Sequence, residues 1–236
     1  MTVVAAGAGQ RHGVSGWRQS SLSLVFGALL VLSLVGQAVS GLAGWNADAR
    51  SAGLAEVSML DYVTSSAFCV DLAENWQSEY LQFTLYILGT IWLVQRGSSE
   101  SKKPGDEGRE SDERQLVGRF AREDSPRWAR AGGWRTALYS HSLATTMAVV
   151  FLLSWGAQAV AGRVADNEER MRDLLEPLDL AAYLGSADFW NRTLQNWQSE
   201  LLAIGTMAVF AIYLRERGSP ESKPVGMPHH KTTADD

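Results

Sequence analysis

Two glutamates in equivalent positions are the residues best suited to chemistry. Glu79 and Glu200 each stand just ahead of an uncharged apolar stretch. Gln37 and Gln158 stand near the end of the apolar stretch that precedes each glutamate. An ionisable side chain within a membrane segment is a candidate for moving protons or cations, and a glutamine amide can hydrogen-bond to it. The four side chains therefore predict a polar cluster that serves as a proton or cation site.

The same residues also fit a structural interpretation. Trp76 and Trp197 stand three residues before the glutamates, and tryptophan collects at membrane-water boundaries, which would leave both carboxylates close to water. An acid in the first turn of a helix is favoured by the helix dipole, and a glutamine can tie two helices together. A conducting site and an interfacial structural contact both stay open.

The sequence contains no motif for a disulfide, a metal site, a catalytic site or a nucleic-acid interface. The single cysteine, Cys69, cannot form an internal disulfide, and the four histidines show no metal-ligand spacing. There is no nucleophile elbow, phosphate-binding glycine loop or Ser-His-Asp set. A net charge of -5 leaves no basic footprint for nucleic acid. We therefore expect a protein that is not an enzyme, uses no cofactor or metal and does not bind nucleic acid.

The chain contains an internal duplication. Shifted by 121 positions, residues 21–102 match residues 142–223 at 27 of 82 positions without a gap. The longest identical block is Asn-Trp-Gln-Ser-Glu. Its residues ahead of the two glutamates are Asn75, Trp76, Gln77 and Ser78 in the first copy and Asn196, Trp197, Gln198 and Ser199 in the second. Both copies also end on Arg-Gly-Ser, one further residue and Glu-Ser-Lys, which predicts two copies of one structural unit.

Each copy contains two apolar stretches that predict membrane spans. The predicted spans lie at about 22–40, 77–95, 142–162 and 198–215. The second stretch of each copy is the shorter one, so its helix must begin ahead of its charge-free part. A cleaved signal peptide is the alternative for the first stretch, but the same segment recurs deep inside the chain. The sequence thus predicts an all-α membrane protein, a compact four-helix bundle built as two tandem parallel repeats of a helical hairpin.

Basic residues indicate the orientation of these spans. Residues 95–135 hold ten Lys and Arg, whereas the loop 42–74 holds only Arg50. Positive charge favours the cytoplasmic side, so the tail 1–20, the charged linker 103–141 and the tail 224–236 are expected there. Two spans per copy give both copies the same orientation. We predict a multi-pass plasma-membrane protein with both termini in the cytoplasm.

The segments between the spans differ in character. The two outer loops, of about 33 residues each, are predicted to hold short amphipathic helices, because Leu54, Val57 and Leu60 follow a spacing of three. Interfacial packing and a small binding surface are both possible roles for them. The linker and the C-terminal tail are expected to be solvated and partly or wholly disordered. Near the end of the linker, a basic and aromatic strip suits anionic lipid headgroups. It consists of Arg127, Trp128, Arg130, Trp134 and Arg135.

At Asn-Trp-Gln-Ser-Glu and at Arg-Gly-Ser-Pro-Glu-Ser-Lys-Pro, residues 217–224, the chain resembles an uncharacterised family of bacterial four-span integral membrane proteins, a domain of unknown function. The resemblance covers nearly the full length and implies a bacterial origin and a membrane location. It implies no activity, substrate or catalytic residue. The first copy departs from the second motif, with Ser99 in place of Pro220 and Lys103 in place of Pro224.

These observations predict a non-enzymatic integral membrane protein with a structural or interaction role in the bacterial cell envelope, whose partner is the lipid bilayer. The alternative is a small proton or cation conductor, or a transporter component, that uses Glu79 and Glu200. Because four helices make a thin bundle, a pore would require a homo-oligomer. Burial of the two carboxylates would favour the alternative.

Overall fold

The computed structural model describes residues 19–232, and in that range it contains eight α-helices and no strand. The prediction of an all-α protein is confirmed. None of the long helices contains a proline, the residue that most often interrupts a helix. The helices are α1 (Ser21–Ser51), α2 (Met59–Val63), α3 (Ser66–Trp92), α4 (Arg127–Ala131), α5 (Gly133–Ser140), α6 (Ser142–Arg172), α7 (Leu180–Leu184) and α8 (Ala187–Tyr213).

The helices of the second sequence copy begin and end 121 residues after those of the first. Helices α1 and α6 have 31 residues each, α2 and α7 have five, and α3 and α8 have 27. Each copy is therefore a long helix, a short helix and a second long helix. The linker between the copies holds α4, α5 and a 3-10 turn at Gly118–Phe120. Most of the predicted tail 1–20 lies outside the described residues.

The long helices differ in their ends from the predicted spans. Helices α1 and α6 continue well beyond 40 and 162, to Ser51 and Arg172. Helices α3 and α8 begin before 77 and 198 because serine hydroxyls cap them. Ser65 accepts a hydrogen bond from the Phe68 amide, and Ser186 accepts one from the Phe189 amide, each at 3.2 Å.

Two of the described helices, α1 and α6, are long and apolar enough to cross a membrane by length and composition. Helices α3 and α8 do not meet that measure, so the structure has two candidate spans where the sequence predicts four. The reason is that the early turns of α3 and α8 carry charged and amide side chains, and only their later turns are apolar. Apolar side chains on α1 point outward, with Leu22 72% and Leu32 67% exposed.

The described residues up to Phe68 form one compact unit, and those from Cys69 onward form a second. In the first unit, α2 folds back onto α1. The Asn46 side chain binds both backbone groups of Val57, accepting from its amide at 2.9 Å and donating to its carbonyl at 3.1 Å. The buried Tyr62 ring lies against Gly41, where a Cβ would be 2.1 Å from the tyrosine hydroxyl. We call the paired amide bonds the asparagine clasp.

The second unit repeats this arrangement between α6 and α7. Asn167 accepts from the Leu178 amide at 2.7 Å and donates to the Leu178 carbonyl at 2.9 Å. Tyr183 is fully buried and lies against Gly162, where a Cβ would be 2.4 Å from the hydroxyl. The same residue types, 121 positions apart, therefore turn each chain copy back after its first long helix.

Candidate functional site

The two predicted glutamates lie on equivalent turns of α3 and α8. Glu79 is exposed and Glu200 is partly buried, and they are close enough for their charges to repel each other. Neither carboxylate has a hydrogen bond or an ion pair within the described part of the chain. The predicted bond between Glu200 and Gln158 is therefore absent there. Gln37 belongs to the first unit, where its side chain is partly buried.

Gln158 is instead one of two buried amides in the second unit, together with Gln77, and both are 0% exposed. Gln77 Oε1 accepts a hydrogen bond from Trp197 Nε1 at 2.7 Å. Gln158 Nε2 donates to Thr193 Oγ1 at 3.3 Å, and Trp155 Nε1 donates to the same oxygen at 3.3 Å. Gln77 Nε2 and Gln158 Oε1 have no hydrogen-bond partner among the described residues. These amides tie helices together, which is the structural role proposed for glutamine from the sequence.

An aromatic cluster encloses these amides. Trp155 stacks on Phe151 at 5.7 Å between ring centres and lies 5.7 Å from Trp197. The cluster consists of Phe151, Trp155, Tyr183, Phe189, Trp190 and Trp197. Such ring pairs stabilise a fold by about 0.5–1.5 kcal/mol each beyond their burial. The first copy has a smaller cluster, in which Tyr62 packs edge to face on Phe68 at 5.6 Å and lies 6.0 Å from Trp45, and leucine stands at the positions equivalent to Phe151 and Trp155.

A charged group joins α3 to α8 beside this cluster. Arg192 binds Glu74 at 3.0 Å and Asp188 at 3.0 Å, and Tyr183 donates to Asp188 at 3.0 Å. Burial raises the pKa of Glu74, although Arg192 opposes this shift, and burial likewise raises the pKa of Asp71. Burial alone would lower the pKa of Arg192, but the bond to Glu74 and the charge of Asp188 raise it overall. The group is a paired, partly buried network.

The identical block Asn-Trp-Gln-Ser-Glu has one role in both copies and one that differs. Its asparagine donates to the backbone carbonyl four residues earlier, at 2.8 Å in each copy. Its serine donates to the carbonyl of that asparagine, at 3.0 and 2.8 Å. Its glutamine, however, is buried as Gln77 and exposed as Gln198. The asparagine and serine of the block therefore bond to the backbone of their own helix in both copies. The burial of the glutamine depends on what packs against that helix.

The motif that ends each copy forms a turn. Gly97 and Gly218 have φ angles of 85° and 90°, which favour glycine. In the first copy Ser98 accepts from the amide of Glu100 at 3.2 Å, and Ser101 accepts from the amide of Gln95 at 2.7 Å. In the second copy the equivalent serine bonds measure 3.2 and 2.8 Å. The turn follows the ends of α3 and α8, at Trp92 and Tyr213, by the same number of residues in both copies.

The lysine of the same motif binds the chain that follows it. Lys102 donates to the carbonyl of Gly108 at 2.9 Å, and Lys223 donates to that of His229 at 3.1 Å, six residues on in both copies. The buried Lys223 also bonds to the carbonyl of Gly97 and, at 2.8 Å, to that of Lys231. The predicted disordered tail thus makes hydrogen bonds over its described part, 224–232.

The remaining candidates for a site in residues 19–232 are metal-binding clusters and cavities. Within residues 19–232 no group of three or more His, Cys, Asp and Glu side chains is arranged to hold a metal ion. A cavity of about 630 Å³ lies beside α5, and its polar lining includes Lys102, Arg109, Thr136 and His141.

Residues 14–234 match the model of a family described as a domain of unknown function, DUF6766. The chain belongs to the DUF6766 family. The resemblance to an uncharacterised family is confirmed in this respect. No curated protein and no solved structure matches the chain.

Sequence reasoning missed the residues that fold each copy of this DUF6766 chain. The asparagine clasp, the glycine beneath the tyrosine and the serine caps were not singled out from the sequence. Each of them is identical at the 121-residue offset, at Asn46 and Asn167 for the clasp and at Gly41 and Gly162 for the glycine. The signal for them is the set of isolated identities outside the longest block, in the later turns of α1 and α6 and just ahead of α3 and α8.

Proposed function

We propose that this DUF6766 chain is a non-enzymatic integral protein of the bacterial plasma membrane with a structural or partner-binding role. In this proposal α1 and α6 cross the bilayer, and α3 and α8 are the second spans of the two hairpins. The linker and both termini then lie in the cytoplasm, and the loops that hold α2 and α7 lie outside.

The outward apolar surface of the long helices supports the membrane location. On α6, Leu153 is 70% and Leu143 58% exposed, and Leu30 on α1 is 53% exposed. Continuous apolar surface of this extent is unfavourable in water by about 25 cal/mol for each Å². It is typical of membrane or protein contact. In the proposal, lipid covers the apolar turns of each helix, and the charged last turns of α6, from Arg163 onward, lie beyond the bilayer core.

The bonds that the two copies share carry the proposal of a structural role. Seven pairs of identical polar residues make the same hydrogen bond to the backbone in both copies. They are Asn46 and Asn167, Ser65 and Ser186, Asn75 and Asn196, Ser78 and Ser199, Ser98 and Ser219, Ser101 and Ser222, and Lys102 and Lys223. The polar residues that duplication has kept are thus largely engaged in holding turns, caps and loops.

Fractionation of bacterial cells that produce the full chain tests this proposal. We expect the protein to remain with the membrane after alkaline carbonate and high salt, and to enter solution only with detergent. Crosslinking in intact cells should then give defined products with itself or with envelope proteins. Recovery in the soluble fraction would contradict the membrane location, and a purified protein with a substrate-dependent turnover would contradict the structural role.

A proton or cation conductor is the second candidate, because Glu79 and Glu200 are close enough for their charges to interact. Flux into liposomes that hold the purified protein separates the two candidates. Loss of flux in the Glu79→Gln, Glu200→Gln double variant, but not in the control Glu169→Gln, Glu176→Gln, would support conduction. A folded wild-type protein without flux above empty liposomes would exclude it.

A further inference from the structure

The end of the linker is basic and aromatic and carries no acid. From residue 125 to residue 165 the chain has no Asp or Glu. This acid-free stretch begins with the basic-aromatic strip, Arg127, Trp128, Arg130, Trp134 and Arg135, and continues into α6. Glu123 and Asp124 stand just ahead of this stretch, and no acidic residue lies between or after the three arginines of the strip up to residue 165.

Helices α4 and α5 bring the strip together as one surface. They meet at Gly132 and Gly133, whose φ angles of 71° and 59° allow the sharp change of direction. The Thr136 hydroxyl donates to the carbonyl of Trp128 at 2.7 Å and so joins the two helices. The rings of Trp128 and Trp134 then meet edge to face at 6.1 Å.

The side chains of the strip are exposed on the surface. Trp128 is 44% and Trp134 67% exposed. Arg135 lies over the ring of Trp134, 5.5 Å from its centre. Arg127 and Arg130 are exposed, and within residues 19–232 none of the three guanidinium groups forms an ion pair with a carboxylate. Three cations and two indoles are thus presented together.

The position of the strip places it beside a candidate membrane span. Helix α5 ends at Ser140, and α6 begins two residues later, at Ser142. An eight-residue helix is only about 12 Å long, so the strip lies within reach of the headgroup layer if α6 crosses the bilayer. Tryptophan collects in that layer, and arginine matches the phosphate group in shape and charge.

We propose that the basic-aromatic strip binds the headgroups of anionic phospholipids. This inference rests on the proposed membrane location of α6. The indole rings lie between headgroups, and the three arginines bind lipid phosphates, which holds the end of the linker on the membrane surface. A neutral lipid surface lacks the net negative charge that the three arginines require.

A dye at residue 131 reports this contact. The full chain carries Ala131→Cys in a Cys69→Ser background, is labelled with an environment-sensitive fluorophore, and is inserted into nanodiscs of phosphatidylcholine with or without phosphatidylglycerol. We expect a blue shift that requires phosphatidylglycerol and that weakens as salt is added, because salt screens exposed charges. Inorganic phosphate at matched ionic strength should leave the shift unchanged; reversal by phosphate would identify a free anion as the ligand instead.

Matched variants make the test specific to the strip. The triple variant Arg127→Gln, Arg130→Gln, Arg135→Gln should lose the lipid-dependent shift. The control Arg109→Gln, Arg119→Gln, Arg122→Gln removes the same charge from the linker and should retain it. An inserted protein whose shift ignores phosphatidylglycerol, or is lost equally in both variants, overturns the inference but not the proposed function. A chain that does not insert overturns the proposed function, and the same dye with added vesicles then tests the strip alone.

Discussion

Single side chains decide where each copy of the chain turns back. The asparagine clasp satisfies both backbone groups of one loop residue, and unpaired backbone groups are costly in a folded chain. Asn167 does this for Leu178 at 2.7 and 2.9 Å, and Asn46 does it for Val57. Beneath each clasp a glycine makes room for a tyrosine ring. Each of these contacts depends on one side chain, so a single substitution tests its contribution to stability.

Replacement of Asn167 by Ala should destabilise the second unit by about 1–3 kcal/mol, because it removes both bonds to Leu178. Asn167→Asp should also destabilise this unit, because the carboxylate keeps the acceptor for the Leu178 amide but places an oxygen against the Leu178 carbonyl. Thermal unfolding of the purified protein measures both effects. The control is Asn191→Ala, an exposed asparagine of α8, which should leave the unfolding temperature unchanged. Equal effects at the two sites would contradict the role of the clasp.

Replacement of Gly162 by Ala should destabilise the fold by about 1–3 kcal/mol through overpacking. The new Cβ would lie 2.4 Å from the hydroxyl of the fully buried Tyr183 and 3.3 Å from Val70 Cγ2. In the same helix a Cβ at Gly156 meets nothing within 4 Å, so Gly156→Ala should be neutral or stabilising. Differential scanning fluorimetry compares the two variants. A neutral Gly162→Ala would show that α7 is not held against α6 in this way.

The partly buried Glu74 should make stability fall as pH rises. Its pKa in the folded chain lies above the ordinary value of 4.5, because burial outweighs the pull of Arg192. The folded state then binds more protons than the unfolded state from 4.5 up to the raised pKa, and the free energy of unfolding decreases across that window. Unfolding temperatures measured from acidic to neutral pH should decrease less steeply in Glu74→Gln. Asp71, whose pKa is also raised, accounts for a remaining slope.

An exposed carboxyl in the same unit serves as the control for this prediction. Glu169→Gln on α6 should leave the pH profile of the wild type unchanged. If Glu74→Gln and the wild type have the same profile while the control is also unchanged, Glu74 does not carry the proton that the folded state retains.

Among the helices, apolar content could be predicted from the sequence but helix ends could not. The charge-free stretches indicated all four long helices, although only those of α1 and α6 approach the 20 residues of a membrane span. Their ends depend on local hydrogen bonds such as the caps at Ser65 and Ser186, which a hydropathy pattern does not register. Charged early turns therefore became part of α3 and α8, and these two helices fall short of the composition of a span.

A charge placed in the middle of α6 should separate a membrane-spanning helix from a merely apolar one. Leu152 on α6 is 57% exposed, and Leu174, beyond the end of α6, is 94% exposed. Arginine at a helix centre costs about 2.5–3.5 kcal/mol on insertion. We therefore expect Leu152→Arg to reduce the carbonate-resistant fraction of the protein, whereas Leu174→Arg should not. Retention of Leu152→Arg in the membrane at the wild-type level would count against α6 as a span.

Over the whole chain, the two copies agree in their helix boundaries but differ in the residues that surround equivalent side chains. The predicted cluster assumed that both copies use Glu and Gln alike. In the second unit Gln158 bonds to Thr193 within an aromatic cluster, and Glu200 stands apart from it. Phe151 and Trp155, which line that cluster, replace leucines of the first copy. The surroundings of equivalent residues thus depend on residues that the copies do not share, which the duplication by itself does not reveal.

The number of crossings decides how the two copies are oriented, and cysteine labelling can count them. Ala55 and Glu176 occupy equivalent exposed loop positions, and Glu113 is exposed in the linker. Each is replaced by cysteine in a Cys69→Ser background, which alone should not react. A membrane-impermeant maleimide is applied to intact and to permeabilised cells.

Since every crossing reverses the side of the chain, four spans place positions 55 and 176 outside and position 113 inside. If only α1 and α6 cross, positions 55 and 113 share one side and position 176 lies on the other. With the N terminus in the cytoplasm, as predicted, the second pattern would put ten Lys and Arg of residues 95–135 outside, against the preference of basic segments for the cytoplasm. We therefore expect labelling of positions 55 and 176 in intact cells and of position 113 only after permeabilisation. Labelling of 55 and 113 together would reduce the protein to two spans and give its copies opposite orientations.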